Sequence, residues 1–187
     1  MRIGAKPRYP FFLWPFFWNQ KRKYGAVLDS ALLWARVPKL FIAVAFLYGM
    51  LDRKKSPITP VLRSLVTVRI SQLNGCRFCI DLNSATLSKC GVPDEKVSEI
   101  ERWRNSPSFT EKERVALDYA EKVTLSPQGM TDEQFAPLRA HFDEDAIVEL
   151  TALIAFQNLS SKFNSALGVP AQGFCRIPAV MGQLERE

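Results

Sequence analysis

Two cysteines separated by two residues place the strongest constraint on what this chain can fold into. Cys76 and Cys79 follow Gly75, at the start of a stretch whose apolar spacing is helical. Residues three apart lie on one face of a helix, so the two thiols are expected to be close enough to form and break a disulfide. If Gly75 marks the start of the helix, the partial positive charge there favours a thiolate on Cys76, and the thiolate is the form that reacts.

The cysteine pair has two other interpretations. A structural zinc site needs a second tightly spaced pair of ligands, but Cys90 and Cys175 stand alone and His141 is the one histidine of the chain. Cys90 lies about 16 Å along the helix axis from Cys79, too far for a disulfide, and is expected to pack in the core. Two inert buried cysteines are the plainer alternative, because free cysteine often behaves as a small hydrophobic residue. We favour a redox dithiol over both and expect no metal and no cofactor.

The composition limits the class of protein. The chain has 187 residues, 47% of them hydrophobic, which suits one or at most two domains with a sizeable core. Its net charge is +6, with much of the basic excess in the first forty residues, which suggests an anionic surface as a partner. No nucleic-acid-binding motif or signal peptide is recognised, and the longest uncharged apolar run, residues 40–51, is too short to span a bilayer. These features predict a cytoplasmic protein.

Apolar spacing and capping residues predict a chain made mainly of helices. Thr110 with Glu113, and Thr131 with Gln134, each have the pattern of a capping box. Asp143 is placed to cap a long helix whose apolar positions spread around its axis, which is typical of a central helix. The helices that we predict cover residues 25–36, 38–51, 76–89, 94–104, 111–125, 132–142 and 144–167.

The first 24 residues differ from the rest in being crowded with aromatic side chains. Pro7, Pro10 and Pro15 interrupt this segment and argue against a helix. One alternative is that it packs on its own domain or on a neighbouring subunit. The other is contact with a membrane surface, with the aromatic rings at the interface and the basic residues 21–23 on anionic lipid. We therefore divide the chain into an aromatic-rich arm, residues 1–24, and one helical domain, residues 25–187.

The residues around the cysteine pair resemble a known family. The run Leu65–Asp81 (LVTVRISQLNGCRFCID) resembles the core signature of the carboxymuconolactone decarboxylase family, and more closely its alkyl hydroperoxidase D-like branch. The resemblance implies an all-α, compact multi-helix bundle that forms homo-oligomers (dimer, trimer or hexamer). It also implies a Cys76–Cys79 dithiol that reduces peroxides, an antioxidant activity. Apolar spacing alone leaves residues 62–73 open between a helix and a short strand at 66–70, and the resemblance favours the helix.

Two positions depart from the pattern of the redox-active branch. That branch has a histidine four residues after the second cysteine and a glutamate twelve residues before the first, where this chain has Asn83 and Ser64. Those two groups form the proton relay of the branch, and asparagine and serine cannot transfer a proton near neutral pH. We expect Asp81 to be a solvated acid and His141 to stabilise the negative end of a helix, so neither is expected to replace the relay.

Three functions are consistent with these residues. The first is a thiol-dependent peroxidase or disulfide oxidoreductase, weak because the relay is missing. In the mechanism that the resemblance implies, Cys79, the more buried thiol, meets the peroxide, Cys76 closes the disulfide, and an external thiol reopens it. The second is a non-catalytic redox sensor or structural member of the same fold. The least favoured is a lactone decarboxylase, because that branch generally lacks the cysteine pair.

Overall fold

The computed structural model describes residues 1–126 and 129–184, and within these ranges the chain is helical and contains no strand. Short 3-10 helices cover Phe11–Leu13 and Ile100–Asn105. The α-helices are α1 (Trp14–Tyr24), α2 (Asp29–Trp34), α3 (Pro38–Leu51), α4 (Pro60–Leu73), α5 (Arg77–Lys89), α6 (Asp94–Ser98), α7 (Glu111–Leu125), α8 (Asp132–His141), α9 (Glu144–Ala166) and α10 (Pro178–Leu184). No helix in the described ranges is both long enough and apolar enough to cross a membrane.

The start of each of the three longest C-terminal helices follows from its capping residue. Thr110 and Glu113 form the predicted capping box of α7, and Thr131 and Gln134 form that of α8. The Asp143 carboxylate accepts a hydrogen bond of 2.7 Å from a backbone N–H in the first turn of α9. These three predicted helix starts are confirmed.

Helix α4 lies at the centre of the fold and packs against α5, α7 and α9. Its buried side chains divide between two apolar clusters, one shared with α5, α6 and α10 and the other shared with α7, α8 and α9. A third cluster joins the N-terminal segments to the start of α5 and the end of α9. Residues 62–73 are therefore helical, as the family resemblance implied, and the short strand at 66–70 is excluded.

Three predictions about element boundaries are wrong. The first twenty residues do contain a helix. Pro15 does not prevent it, because it stands in the first turn of α1, where a backbone N–H has no partner inside the helix. The helix predicted over 25–36 is only Asp29–Trp34, since Gly25 ends α1 with a φ of +80° and Leu28 is extended. The helix predicted over 94–104 ends at Ser98, and a 3-10 helix follows.

The N-terminal segment is attached to the body of the protein. The backbone N–H of Arg2 donates to the carbonyl of Leu167 at 2.8 Å, and the Tyr9 hydroxyl donates to the carbonyl of Leu32 at 3.0 Å. Leu13 is fully buried in the third apolar cluster. Part of this segment therefore packs on its own chain, while the division into an arm of residues 1–24 and a domain of residues 25–187 stays a prediction.

Candidate active site at Cys76 and Cys79

The structure places the cysteine pair at the N-terminus of α5. Cys76 and Cys79 are joined by a disulfide, with their Cα atoms 5.2 Å apart. Gly75 has a φ of +58°, a left-handed conformation that glycine adopts without strain, and it turns the chain from α4 into α5. Cys76 is the N-cap residue, and its Sγ accepts a hydrogen bond of 3.2 Å from the backbone N–H of Cys79. The helix start expected at the pair is therefore confirmed.

Both sulfur atoms are buried. Cys76 is 1% exposed and Cys79 is 3% exposed, so the two residues are about equally buried and the expected difference in burial is not seen. The apolar cluster that contains them includes Leu13, Phe41 and the ring of Trp34, which stacks on Phe163 with centroids 3.6 Å apart. The N-terminal helices thus contribute to the apolar cluster that buries the pair.

A buried asparagine contacts the second sulfur. Asn164 on α9 is fully buried, and its Nδ2 donates a hydrogen bond of 3.3 Å to Cys79 Sγ. Its Oδ1 accepts a hydrogen bond of 2.7 Å from the Ser30 hydroxyl on α2. Because Ser30 donates to the amide oxygen, the amide N–H group faces the sulfur. The arrangement would stabilise negative charge on Cys79 in the reduced protein.

Asn164 belongs to a polar stripe on α9 that the sequence analysis did not single out. Gln157, Ser161 and Asn164 are spaced by four and three residues, so they share one face of the helix, and all three are buried. Ser161 accepts a hydrogen bond of 2.7 Å from Asn74, at the turn that precedes the cysteine pair. The signal was in the sequence, because polar residues at helical spacing in an apolar helix indicate a buried polar contact.

Of the two positions where the family relay is missing, Asn83 lies among neutral hydrogen-bonding groups. Asn83 donates a hydrogen bond of 3.2 Å to the Ser71 hydroxyl, which also accepts one of 2.9 Å from Gln157. The Ser71 hydroxyl in turn donates to the carbonyl of Thr67 at 2.6 Å. Ser64 is buried on the same helix, about two turns before Ser71. This hydrogen-bond chain runs from Asn83 to a backbone carbonyl and contains no group that titrates near neutral pH.

Asp81 is not the solvated acid that the sequence analysis expected. Its side chain is fully buried, and its two carboxylate oxygens accept hydrogen bonds from the backbone N–H groups of Gln172 and Cys175, at 2.8 and 2.7 Å. The reason is the C-terminal segment, which crosses α5 and brings two N–H donors to this position. Asp81 therefore holds the tail against α5, and both of its oxygens have structural partners.

The remaining cysteines and the histidine lie in other parts of the fold. Cys90 and Cys175 are free thiols; Cys90 is half-buried at the end of α5, and burial raises the pKa of Cys175. His141 is the last residue of α8, at the helix end where the sequence analysis placed it. Among residues 1–126 and 129–184, no group of three or more His, Cys, Asp or Glu side chains could hold a metal ion.

A second buried polar cluster, also missed by the sequence analysis, centres on Glu121 of α7. Its carboxylate accepts hydrogen bonds from Arg69 Nε, from Arg104 and, at 2.8 Å, from the indole N–H of Trp103. Burial alone would raise the pKa of Glu121, but the bonds from Trp103, Arg104 and Arg69 outweigh it and lower that pKa. The cluster ties α4, α7 and the second 3-10 helix together.

Comparison with known proteins assigns the chain to a family. A model of the carboxymuconolactone decarboxylase family matches residues 28–122. The chain belongs to this family. It is 45% identical over 178 residues to the uncharacterized protein YnjA of Escherichia coli K12, a match that covers 94% of this chain and 98% of YnjA.

Solved structures of other proteins have the same fold as this chain. An alkylhydroperoxidase AhpD core, described as a peroxidase-related protein of Ralstonia eutropha JMP134, superposes with a TM-score of 0.81 at 23% identity, covering 89% of this chain and 88% of that one. The debrominase Bmp8 without ligand superposes with a TM-score of 0.78 at 25% identity, covering 93% of this chain and 90% of Bmp8. The predicted all-helical, alkyl hydroperoxidase D-like fold is confirmed.

Proposed function

We propose that Cys76 and Cys79 form a redox-active dithiol that reduces hydroperoxides at the expense of an external thiol. The observation that supports this most directly is the bonded pair at the N-terminus of α5, with an N–H donor to each sulfur. The likeness to peroxidase-related proteins of the same fold supports it further. Because a thiol must reopen the disulfide, we expect the protein to work in a reducing compartment, the cytoplasm.

The reaction that we propose has two steps. The Cys79 thiolate attacks the terminal oxygen of the hydroperoxide, the O–O bond breaks, and the alkoxide leaves as the alcohol after taking a proton from solvent. Cys79 is then a sulfenic acid, and the Cys76 thiolate attacks its sulfur, displacing hydroxide that leaves as water. Two thiols and one hydroperoxide thus give one disulfide, one alcohol and one water. The external dithiol is oxidised when it reduces the Cys76–Cys79 bond.

The site is expected to be slow. The N-cap position favours the thiolate of Cys76, and the Asn164 amide favours that of Cys79. In contrast, the hydrogen-bonded groups around Asn83 cannot give a proton to the departing alkoxide. General acid catalysis typically contributes about 10²- to 10⁴-fold, and this chain would lack that contribution.

Peroxide consumption with dithiothreitol as the reductant tests the proposal. The variant Cys79→Ser should reduce steady-state consumption of an alkyl hydroperoxide to the rate of dithiothreitol alone, whereas Cys76→Ser should still form the Cys79 sulfenic acid but no internal disulfide. Cys90→Ser is the matched control, because that thiol is half-buried at the other end of the same helix, and it should keep the wild-type rate. Equal rates for wild type and Cys79→Ser would end the peroxidase proposal.

A redox sensor of the same fold is the second candidate, and the neutral surroundings of Asn83 and the serine at position 64 favour it. A sensor would consume about one equivalent of peroxide, form the Cys76–Cys79 disulfide and then stop, even when the reductant is in excess. The homo-oligomer that the family resemblance implies stays a prediction, which sedimentation of the oxidised and reduced protein would test at the same time.

A halogenated heteroaromatic ring is another electrophile that the dithiol could reduce. The likeness to Bmp8 favours this substrate class, because a cysteine variant of that debrominase was crystallised with 2,3,4-tribromopyrrole. The balanced reaction converts one C–Br bond and two thiols into one C–H bond, one disulfide and HBr. Bromide release from 2,3,4-tribromopyrrole by wild type, compared with Cys79→Ser, would distinguish it from hydroperoxide reduction.

A further inference from the structure

Exposed apolar side chains are concentrated at the N-terminal end of the chain. Apart from Leu125, Val148, Leu159 and Met181, every large hydrophobic side chain that is exposed in the described ranges lies within residues 1–50. Phe11 is 83% exposed, Trp14 67%, Trp18 65% and Phe46 68%. A group of this size is uncommon on a protein surface that faces only water, and it indicates a surface that contacts something else.

Helix α1 carries aromatic and basic side chains on the same outer face. Its inner side packs through Phe17 and Tyr24 on the third apolar cluster. Trp14, Trp18 and Arg22 follow one another at four-residue spacing, so they form one outer stripe. The Arg22 guanidinium lies over the Trp18 ring, 5.2 Å from its centroid.

Helix α3 lies beside α1 and adds further exposed apolar side chains to this end of the molecule. The Phe16 and Phe41 rings meet near the start of both helices, with centroids 5.5 Å apart. Lys23 near the end of α1 lies 5.9 Å from the Tyr48 ring near the end of α3, so the two helices run in the same direction. Only two residues of α3 are buried, and Phe46 and Met50 are among its exposed side chains. We call this surface the α1–α3 face; its members include Phe11, Trp14, Trp18, Ile42, Phe46 and Met50.

The charge of the same segment selects between candidate partners. Residues 1–55 contain eleven of the 25 basic residues and two of the 19 acidic ones, a formal charge of +9, whereas the rest of the chain has −3. Lys21 and Arg22 are exposed on the helix that carries Trp14 and Trp18, so a two-fold symmetric contact through this helix would bring like charges together, which is unfavourable. An anionic lipid surface offers negative charge together with an apolar layer for the aromatic rings.

We propose that the α1–α3 face binds the surface of an anionic lipid bilayer. The exposed rings of Trp14 and Trp18 enter the interfacial layer, and Lys21 and Arg22 contact the lipid headgroups. The helices lie on the membrane and do not cross it. The cysteine pair is buried beneath the same helices, but the proposal does not depend on its chemistry.

Co-sedimentation of the full chain with vesicles tests this binding. We compare vesicles of equal parts phosphatidylglycerol and phosphatidylcholine with vesicles of phosphatidylcholine alone, at 50 and at 500 mM salt. Wild type should bind the anionic vesicles at low salt, and at least tenfold less of it should bind at high salt or to phosphatidylcholine. Failure of wild type to bind the anionic vesicles at low salt would overturn the proposal, whatever the activity of the cysteine pair.

Two matched pairs of variants locate the surface. Trp14→Ser with Trp18→Ser should reduce the bound fraction at least tenfold, whereas Leu125→Ser with Val148→Ser, which also removes two exposed apolar side chains, should change it less than twofold. Equal losses in both double variants would contradict the assignment.

Charge reversal provides the second pair. Lys21→Glu with Arg22→Glu should abolish binding, whereas Lys89→Glu with Arg176→Glu, which has the same net charge and also changes exposed residues, should keep most of it. Sedimentation velocity without lipid tests the alternative that a second copy of the chain covers this face. If wild type is an oligomer that Trp14→Ser with Trp18→Ser dissociates, the face is occupied by a second copy and the membrane proposal fails.

Discussion

Helix α4 contributes to two buried polar clusters that differ in kind, one built from charged side chains and the other from neutral ones. Arg69 meets the Glu121 carboxylate, which also binds Trp103 and Arg104. The hydroxyl of Ser71, two residues further along α4, bonds the neutral amides of Asn83 and Gln157 and a backbone carbonyl. The first cluster lies among α4, α7 and a 3-10 helix, and the second lies beside the cysteine helix α5.

The charged cluster holds helices together, whereas the neutral cluster lies beside the cysteine pair. A buried carboxylate that satisfies several donors on different helices fixes their relative positions, because removing it leaves charges without partners. Neutral amides satisfy the buried polar groups near the cysteines without adding a fixed charge. If the pair is redox-active as we propose, its reactivity depends on the helix N-terminus and one amide donor, without the proton relay of the redox-active branch. The predictions below test this contrast, beginning with the largest expected effect.

The charged cluster should be the most sensitive to substitution. Glu121→Gln leaves Arg69, whose side chain is 14% exposed, without a counter-charge, whereas the half-exposed Arg104 keeps Asp118. We therefore expect the free energy of unfolding to fall by about 3 kcal/mol at pH 7. Denaturant unfolding of both proteins measures this difference. The exposed Glu133→Gln on α8 is the control, with an expected change of no more than about 1 kcal/mol.

The difference in unfolding free energy between wild type and Glu121→Gln should depend on pH in a defined way. The pKa of Glu121 is lowered by folding below its ordinary value of 4.5, so its stabilising contribution is present above pH 4.5 and is lost as the pH falls through the lowered pKa. The stability difference between wild type and Glu121→Gln should therefore be constant from pH 7 to about pH 5 and shrink below that. A difference that is already small at pH 7 would show that the cluster is not a structural anchor.

Asp81 is an intermediate case, a buried carboxylate that accepts hydrogen bonds from two backbone N–H groups. Asp81→Asn keeps the shape but replaces one acceptor oxygen with a donor that faces the N–H of either Gln172 or Cys175. We expect the free energy of unfolding to fall by about 2–3 kcal/mol. Faster hydrogen exchange at residues 172–175, with unchanged exchange in α7, would locate the loss in the C-terminal segment. Unchanged exchange there would contradict the anchoring role.

Restoring charged groups to the neutral cluster should increase activity. Ser64→Glu with Asn83→His places the residue types of the redox-active branch at the two matching positions, and we expect hydroperoxide turnover to rise about 10- to 100-fold. Asn83→His alone, at a half-buried position, should give a smaller rise and controls for strain at the buried Ser64. No increase in either variant, with the fold intact, would mean that the missing relay does not limit the rate.

The sequence predicted the helices better than it predicted their polar contacts. The capping boxes at Thr110 and Thr131 and the spacing of the cysteines are local signals, and the structure agrees with them. Asp81 was misjudged because its partners lie more than ninety residues away in the sequence, where no local pattern points to it. Glu121 was missed because its partners lie on other elements, 17 to 52 residues away in the sequence.

The N-terminal helix was missed for a different reason. Prolines normally break helices, but Pro15 stands in the first turn of α1, where its missing N–H costs nothing. Asn164 could have been found, because Gln157, Ser161 and Asn164 form a polar stripe at helical spacing. Periodicity identifies which face of a helix is buried, but it does not identify the helix that packs against that face.

The amide of Asn164 should have the smallest effect of those considered. Asn164→Leu has a similar volume but removes the donor to Cys79 Sγ, so the Cys79 thiolate loses about 1 kcal/mol of stabilisation. Turnover at pH 7 should fall about 3- to 10-fold, and the pH at which the rate is half-maximal should rise by roughly 0.5 to 1 unit. Ser30→Ala removes the partner of the amide oxygen but keeps the donor to sulfur, so it should shift that pH much less. If activity falls equally at every pH, Asn164 contributes only to packing. The stability of the Cys79 thiolate would then depend on the N-terminus of α5 alone.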